Sequence, residues 1–151
     1  MAVAARDFRP IKDLVASADQ KLTEVEGFAF EKLIAKLYEE RSRKGLPGFA
    51  LQERVAGYWD RGDVEIDLVA MNEKEKCIRF GSCKRSSKKL VADVNNFREH
   101  VEKFLTTFPR YRSWKIELVA FAPEINKHIR STLRHHDVIA EDLVDLTRDL
   151  V

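Results

Sequence analysis

Apolar residues recur along this chain with two different periods, and the changes of period mark its elements. Ile11, Leu14, Val15, Ala18 and Leu22 fall at helical spacing, so residues 1–23 read as a helical lead-in. Thr23 with Glu26 fits a capping box at the start of a stronger helix. Phe30, Leu33, Ile34, Leu37 and Tyr38 supply its apolar stripe, which stops at Gly45-Leu46-Pro47-Gly48. The period then falls to two, and 51–59, 64–71 and 77–85 read as strands. Asp60-Arg61-Gly62-Asp63 has the composition of a hairpin turn, and 72–76 is a charged turn. Alternation puts Val64, Ile66, Leu68 and Ala70 on one face of the second strand and Asp63, Glu65, Asp67 and Val69 on the other. On the third strand Ile78, Phe80, Ser82 and Lys84 share a side that turns from apolar to polar.

The helical period returns with Val91, Val94, Phe97, Val101, Phe104, Leu105 and Phe108, and Pro109 ends it. The apolar run 114–122 suits a buried strand. Ile125, Ile129 and Leu133 predict a helix over 124–136, with His135-His136 at its end, where a cationic residue favours the helix dipole. Val138-Ile139 fits a short last strand, and 141–150 a final helical turn or two. The order α-β-β-β-α-β-α, with a meander before a helical crossover, predicts an α/β fold with a mixed sheet flanked by helices. A chain of 151 residues has the size of one domain, here 24–151 behind the lead-in.

Composition narrows the setting. With 44% hydrophobic and 34% charged residues, the chain can bury a core and stay soluble. No run approaches the ~18–20 apolar residues of a membrane span. Residues 1–10 lack an apolar signal core and include Arg6, Asp7 and Arg9, so a cytoplasmic protein without a membrane partner is expected. Cys77 and Cys83 match no zinc spacing and read as reduced thiols. The net charge of +2 indicates no partner, but its distribution is uneven. Residues 79–90 contain no acid, while Arg79, Lys84, Arg85, Lys88 and Lys89 supply positive charge that could meet phosphates or form a solvated loop.

Metal-dependent phosphodiester cleavage needs hard oxygen ligands for Mg²⁺ and a cation beside the phosphate. A carboxylate on one strand, with a carboxylate and a lysine two apart on the next, supplies both, because a two-residue step keeps side chains on one face. Glu31 lies on the apolar stripe of its helix, where an unpaired carboxylate costs free energy.

Gly27-Phe28-Ala29-Phe30-Glu31, Gly57-Tyr58-Trp59, Glu65-Ile66-Asp67-Leu68-Val69-Ala70 and Phe80-Gly81-Ser82-Cys83-Lys84 resemble the PD-(D/E)XK nuclease superfamily. The nearest likeness is to the nuclease-like domain at the C-terminus of archaeal-type ATPases. The resemblance spans roughly 24–122 and implies a restriction-endonuclease-like fold. It further implies Glu31, Asp67 and Lys84 as catalytic residues, with Asp67 and Glu31 holding Mg²⁺ or Mn²⁺. Lys84 would contact the scissile phosphate or the attacking water, and Gly81 would permit close packing. DNA is the implied partner, met by Arg85, Lys88 and Lys89, with an ATPase as a second. Where that family carries Glu or Asp, this chain has Ser82, a neutral and weaker ligand. Glu65 is then either a compensating ligand or a supporting residue. The alternative is an inactive nuclease fold kept as a nucleic-acid-binding or interaction module. Each residue also has a plainer reading: an Asp67–Lys84 ion pair, a solvated Glu31, a basic loop at Lys84 and Arg85. His100, His128, His135 and His136 fall outside the pattern, and Trp59 and Trp114 read as core residues.

Overall fold

The computed structural model describes residues 29–51, 56–60, 62 and 64–150. The expected lead-in, the capping box at Thr23 and Glu26, and Gly27-Phe28 lie outside the described residues, as do Arg61 and Asp63 of the expected hairpin turn. Helix α1 runs over 29–43 and buries Phe30, Ile34 and Tyr38 against the sheet. Leu33, expected on that stripe, is 42% exposed. The strands are β1 (Ala56–Trp59), β2 (Glu65–Asn72) and β3 (Cys77–Cys83). Helix α2 (Ser87–Thr107) and a 3₁₀ turn (Pro109–Ser113) lead to β4 (Lys115–Phe121). Helix α3 (Lys127–His135), β5 (Val138–Glu141) and α4 (Leu143–Thr147) complete the order.

The five strands form one mixed sheet in the order β1-β2-β3-β4-β5. β1, β2 and β3 are an antiparallel meander, while β4 and β5 run parallel to β3 and to β4. The parallel steps follow from α2 and α3, each long enough to return the chain across the sheet. Both faces are covered. On one, Phe30, Ile34 and Tyr38 of α1 pack with Leu68, Ala70, Val119, Phe121 and Leu146. On the other, Phe97, Val101, Phe104 and Leu105 of α2 pack on Val64, Ile66, Ile78 and Phe80, and α3 adds Leu133 beside Leu90 and Val94. The expected α/β fold is therefore the observed one. Among the described residues no helix is long and apolar enough to cross a membrane.

One expectation about the faces fails. Val64 and Ile66 pack on the α2 side, but Leu68 and Ala70 pack on the α1 side. The cause is a bulge in β2. Its register against β1 moves from Ala56↔Val69 to Tyr58↔Ile66, so three steps on β2 match two on β1. The extra residue reverses the alternation and leaves Asp67 and Leu68 on the same side. Gly57 lies opposite: a Cβ there would stand 3.1 Å from the Asp67 carbonyl oxygen and 3.2 Å from that of Ile66. Gly81 sits in a similar squeeze, where a Cβ would meet Phe121 at 2.7 Å.

Arg79 also departs from expectation. It turns inward, donating to Glu117 at 3.0 Å and to Glu141 and the Tyr38 hydroxyl at 2.9 Å each. Burial opposes its charge, and Tyr38, Glu141 and Glu117 outweigh that opposition. It is thus withdrawn from the basic stretch. Both cysteines are free and buried, as the reduced-thiol reading expects.

Candidate active site

β2 and β3 part at the bulge. Their ladder ends at Leu68↔Gly81, so the next main-chain donor on β3, the Cys83 N–H, has no strand partner. The Asp67 carboxylate takes its place, accepting from the Cys83 N–H at 2.8 Å. Beyond Cys83 the chain leaves β2 and leans on β4, where the Lys84 N–H donates to the Phe121 carbonyl at 2.9 Å. A cleft of about 210 Å³ opens between the separating strands. Glu31, Glu65, Asp67, Ser82 and Lys84 all line it. Residues from α1, β2 and β3 that are far apart in sequence therefore meet as expected, and the bulge is what aims Asp67 at α1.

Glu31 and Asp67 face each other in the cleft and act on each other's charge. Burial raises the Glu31 carboxyl to about 7, and the neighbouring Asp67 and the charge of Glu65 push the same way against Lys84. Burial raises Asp67 as well, opposed by the Cys83 N–H and by Lys84. Both carboxyls are thus pushed toward their protonated forms. Glu31 itself is half-buried. Lys84 lies 3.6 Å from Asp93 of α2, so its nearest ion pair is Asp93 and not Asp67, although its charge acts on both carboxylates.

The chemistry of this donor set fits a hard divalent cation in one respect. Two neighbouring carboxylates that repel each other gain from a cation between them, and Mg²⁺ is commonly held by one or two carboxylates with water completing its shell. The set is nevertheless small. Among the described residues no group of three or more His, Cys, Asp and Glu side chains is arranged to hold a metal ion. Glu65 adds negative charge but does not complete such a group, and Ser82, buried at 6% exposure, brings only a hydroxyl.

Helix α2 supplies a wall of the site that its sequence pattern did not suggest. Asp93, Asn96, Phe97 and His100 line the cleft at steps of three and four. His100 Nδ1 lies 2.9 Å from both the main-chain N–H and the carbonyl oxygen of Glu65, accepting from the first or donating to the second according to its tautomer. His100 thus anchors the start of β2, two residues before Asp67. The signal was present as a polar flank beside the Val94–Phe97–Val101 stripe. Arg85, Lys88 and Lys89 are exposed near the start of α2 and do not line the cleft. Of the two tryptophans, Trp114 is in the core at 9% exposure, but Trp59 is 68% exposed.

Fold and site together define the class: an α/β protein whose candidate site is a carboxylate pair where two antiparallel strands part. Within that class the chain belongs to the DUF234 family, described as archaeal and bacterial proteins of unknown function, whose model matches residues 5–94. No curated protein and no solved structure matches it.

Proposed function

We propose that this protein is a metal-dependent nuclease of the PD-(D/E)XK type acting on DNA phosphodiesters. The observation that carries the reading is the Glu31–Asp67 carboxylate pair, with Lys84 on the adjoining strand end. Asp67 and Glu31 would hold Mg²⁺ or Mn²⁺. Bound there, the ion would supply Lewis-acid polarisation of a phosphoryl oxygen and a lowered pKa for its water. The chain's own residues account for the rest. The Cys83 N–H holds one Asp67 oxygen and so restrains the carboxylate that lines the cleft. Lys84 supplies positive charge for a phosphate or its attacking water, restrained by Asp93. Lys88 and Lys89 offer charge to the flanking backbone, as Arg85 does from the turn before α2.

The test is cleavage of plasmid and oligonucleotide DNA with Mg²⁺ or Mn²⁺ by the wild type, Asp67→Ala and Lys84→Ala. Both substitutions should abolish metal-dependent cleavage while leaving the circular dichroism spectrum intact. Cleavage unchanged in both variants overturns the reading.

A second reading is favoured by one observation, the lack of a third metal-ligating side chain among the described residues. In it the fold binds nucleic acid without cutting it. Binding would then need no metal, weaken steeply with salt, and depend on Lys88 and Lys89 as much as on Lys84.

A further inference from the structure

Trp59 is the most exposed of the large hydrophobic side chains described, at 68%, yet it belongs to a paired strand. It pairs with Glu65 across the β1–β2 ladder. Just beyond it the hairpin closes, with the Asp60 N–H donating to the Val64 carbonyl at 3.1 Å and the Asp60 carboxylate accepting from the Val64 N–H at 3.2 Å. The indole is therefore carried on a strand, not on a loop tip.

Its face follows from its neighbour. Tyr58 packs edge-on against Phe104 and Phe108 of the α2 layer, with ring centroids 4.9 and 5.7 Å away. Trp59, one residue on, lies on the opposite face. That is the face of its cross-strand partner Glu65, which lines the candidate active site with Glu31 and Asp67. A solvent-facing aromatic side chain on a paired strand thus stands beside one wall of the candidate site.

We propose that Trp59 is a stacking platform for an unpaired nucleobase, so that the substrate is single-stranded where it crosses the candidate site. This rests on the nucleic-acid reading above and adds to it the strandedness of the substrate. An indole carries no charge to offer a phosphate, and in a duplex each base is stacked on both faces, leaving no π-face open. An unpaired base exposes one and is recognised in this way without regard to sequence. Opening a duplex to present such a base costs stacking and pairing energy. A strand that is already single therefore binds more tightly.

The test measures binding by the full chain in EDTA, where no cutting occurs. Fluorescence anisotropy follows a labelled oligothymidylate and its duplex with oligodeoxyadenylate, using wild type, Trp59→Phe and Trp59→Ala of matched thermal stability. Trp59→Ala should weaken single-strand binding roughly 5- to 150-fold, the range of one base–aromatic stack, with Trp59→Phe intermediate and duplex binding unchanged. In a Trp114→Phe background, the single strand should quench Trp59 emission and the duplex should not. Wild-type affinity of Trp59→Ala for the single strand overturns the proposal, as does an equal loss for both forms. Binding of neither form by the wild type also overturns it and points to a protein partner covering the indole. If Asp67→Ala abolishes cleavage while Trp59→Ala binds normally, the nuclease reading stands and the stacking platform does not.

Discussion

At the scale of single residues, the site turns on one missing charge. Ser82 lines the cleft with Asp67 and lies two residues from Lys84. A carboxylate there would join Glu31 and Asp67. Without a cation, a third acid beside two carboxyls already raised by burial is costly. With one, it becomes a ligand. Ser82→Glu should therefore melt below the wild type in EDTA and gain more in midpoint from saturating Mn²⁺, because a ion that binds only the folded state stabilises it by mass action. Its Mn²⁺ affinity should rise roughly tenfold, the lower end of what a supporting group contributes to a metal site. Calorimetric titration and thermal melts with and without Mn²⁺ read both effects. Equal midpoint gains in variant and wild type would mean that position 82 does not face the ion.

At the scale of elements, the bulge in β2 decides what the site is. The residue types were legible in the sequence, because an acid–apolar–acid strand followed by a strand ending in Ser82-Cys83-Lys84 brings these side chains to one end of a hairpin. The aim of Asp67 was not. A strict period of two assigns Leu68 to the same face as Ile66, and nothing local in Ile66-Asp67-Leu68 announces an extra residue. The trace of it is on the neighbouring strand, in Gly57, whose missing Cβ leaves room for two carbonyls to approach. Gly57→Ala should therefore disturb the bulge more than the core. The Asp67–Cys83 hydrogen bond reports it, so the Cys83 amide should lose protection from hydrogen exchange. Gly81→Ala is the contrasting case. Its Cβ would press on Phe121 and Leu68 in the core, so it should cost about 1–3 kcal/mol of stability by overpacking, measured by urea denaturation. Equal Cys83 protection in Gly57→Ala and wild type would separate the glycine from the bulge.

At the scale of the whole molecule, the order of elements was readable because each periodic run was long and bounded. The ion pairs that tie the sheet's far end together were not, since their partners are distant in sequence or on different elements. Arg130 of α3 is the clearest case. Its guanidinium donates to the Ile125 and Ala140 carbonyls at 3.0 and 3.3 Å, and reaches Asp142 at 2.7 Å and Asp145 at 2.8 Å. Asp142 in turn caps α4 in a reciprocal box with Asp145 and accepts from the Ile125 N–H at 3.3 Å. One buried carboxylate thereby joins α3, the loop before it and α4. Burial raises the Asp142 carboxyl, but the backbone N–H groups and Arg130 outweigh it, and its pKa lies below the ordinary value. A carboxyl depressed in the folded state stabilises the fold above its unfolded pKa, about 4 for Asp, and that contribution is lost as the pH falls through the folded value. Glu117, held low by Cys77 and Arg79 against its burial, adds to the same acid limb. Asp142→Asn keeps a side chain that can cap a helix but removes the charge that Arg130 faces. It should be less stable than the wild type at pH 7, and the gap should narrow as the pH drops below about 4. Urea denaturation of both proteins across that range reads the difference directly. No gap at pH 7 would assign the role of Asp142 to capping alone and leave Arg130 held by Asp145.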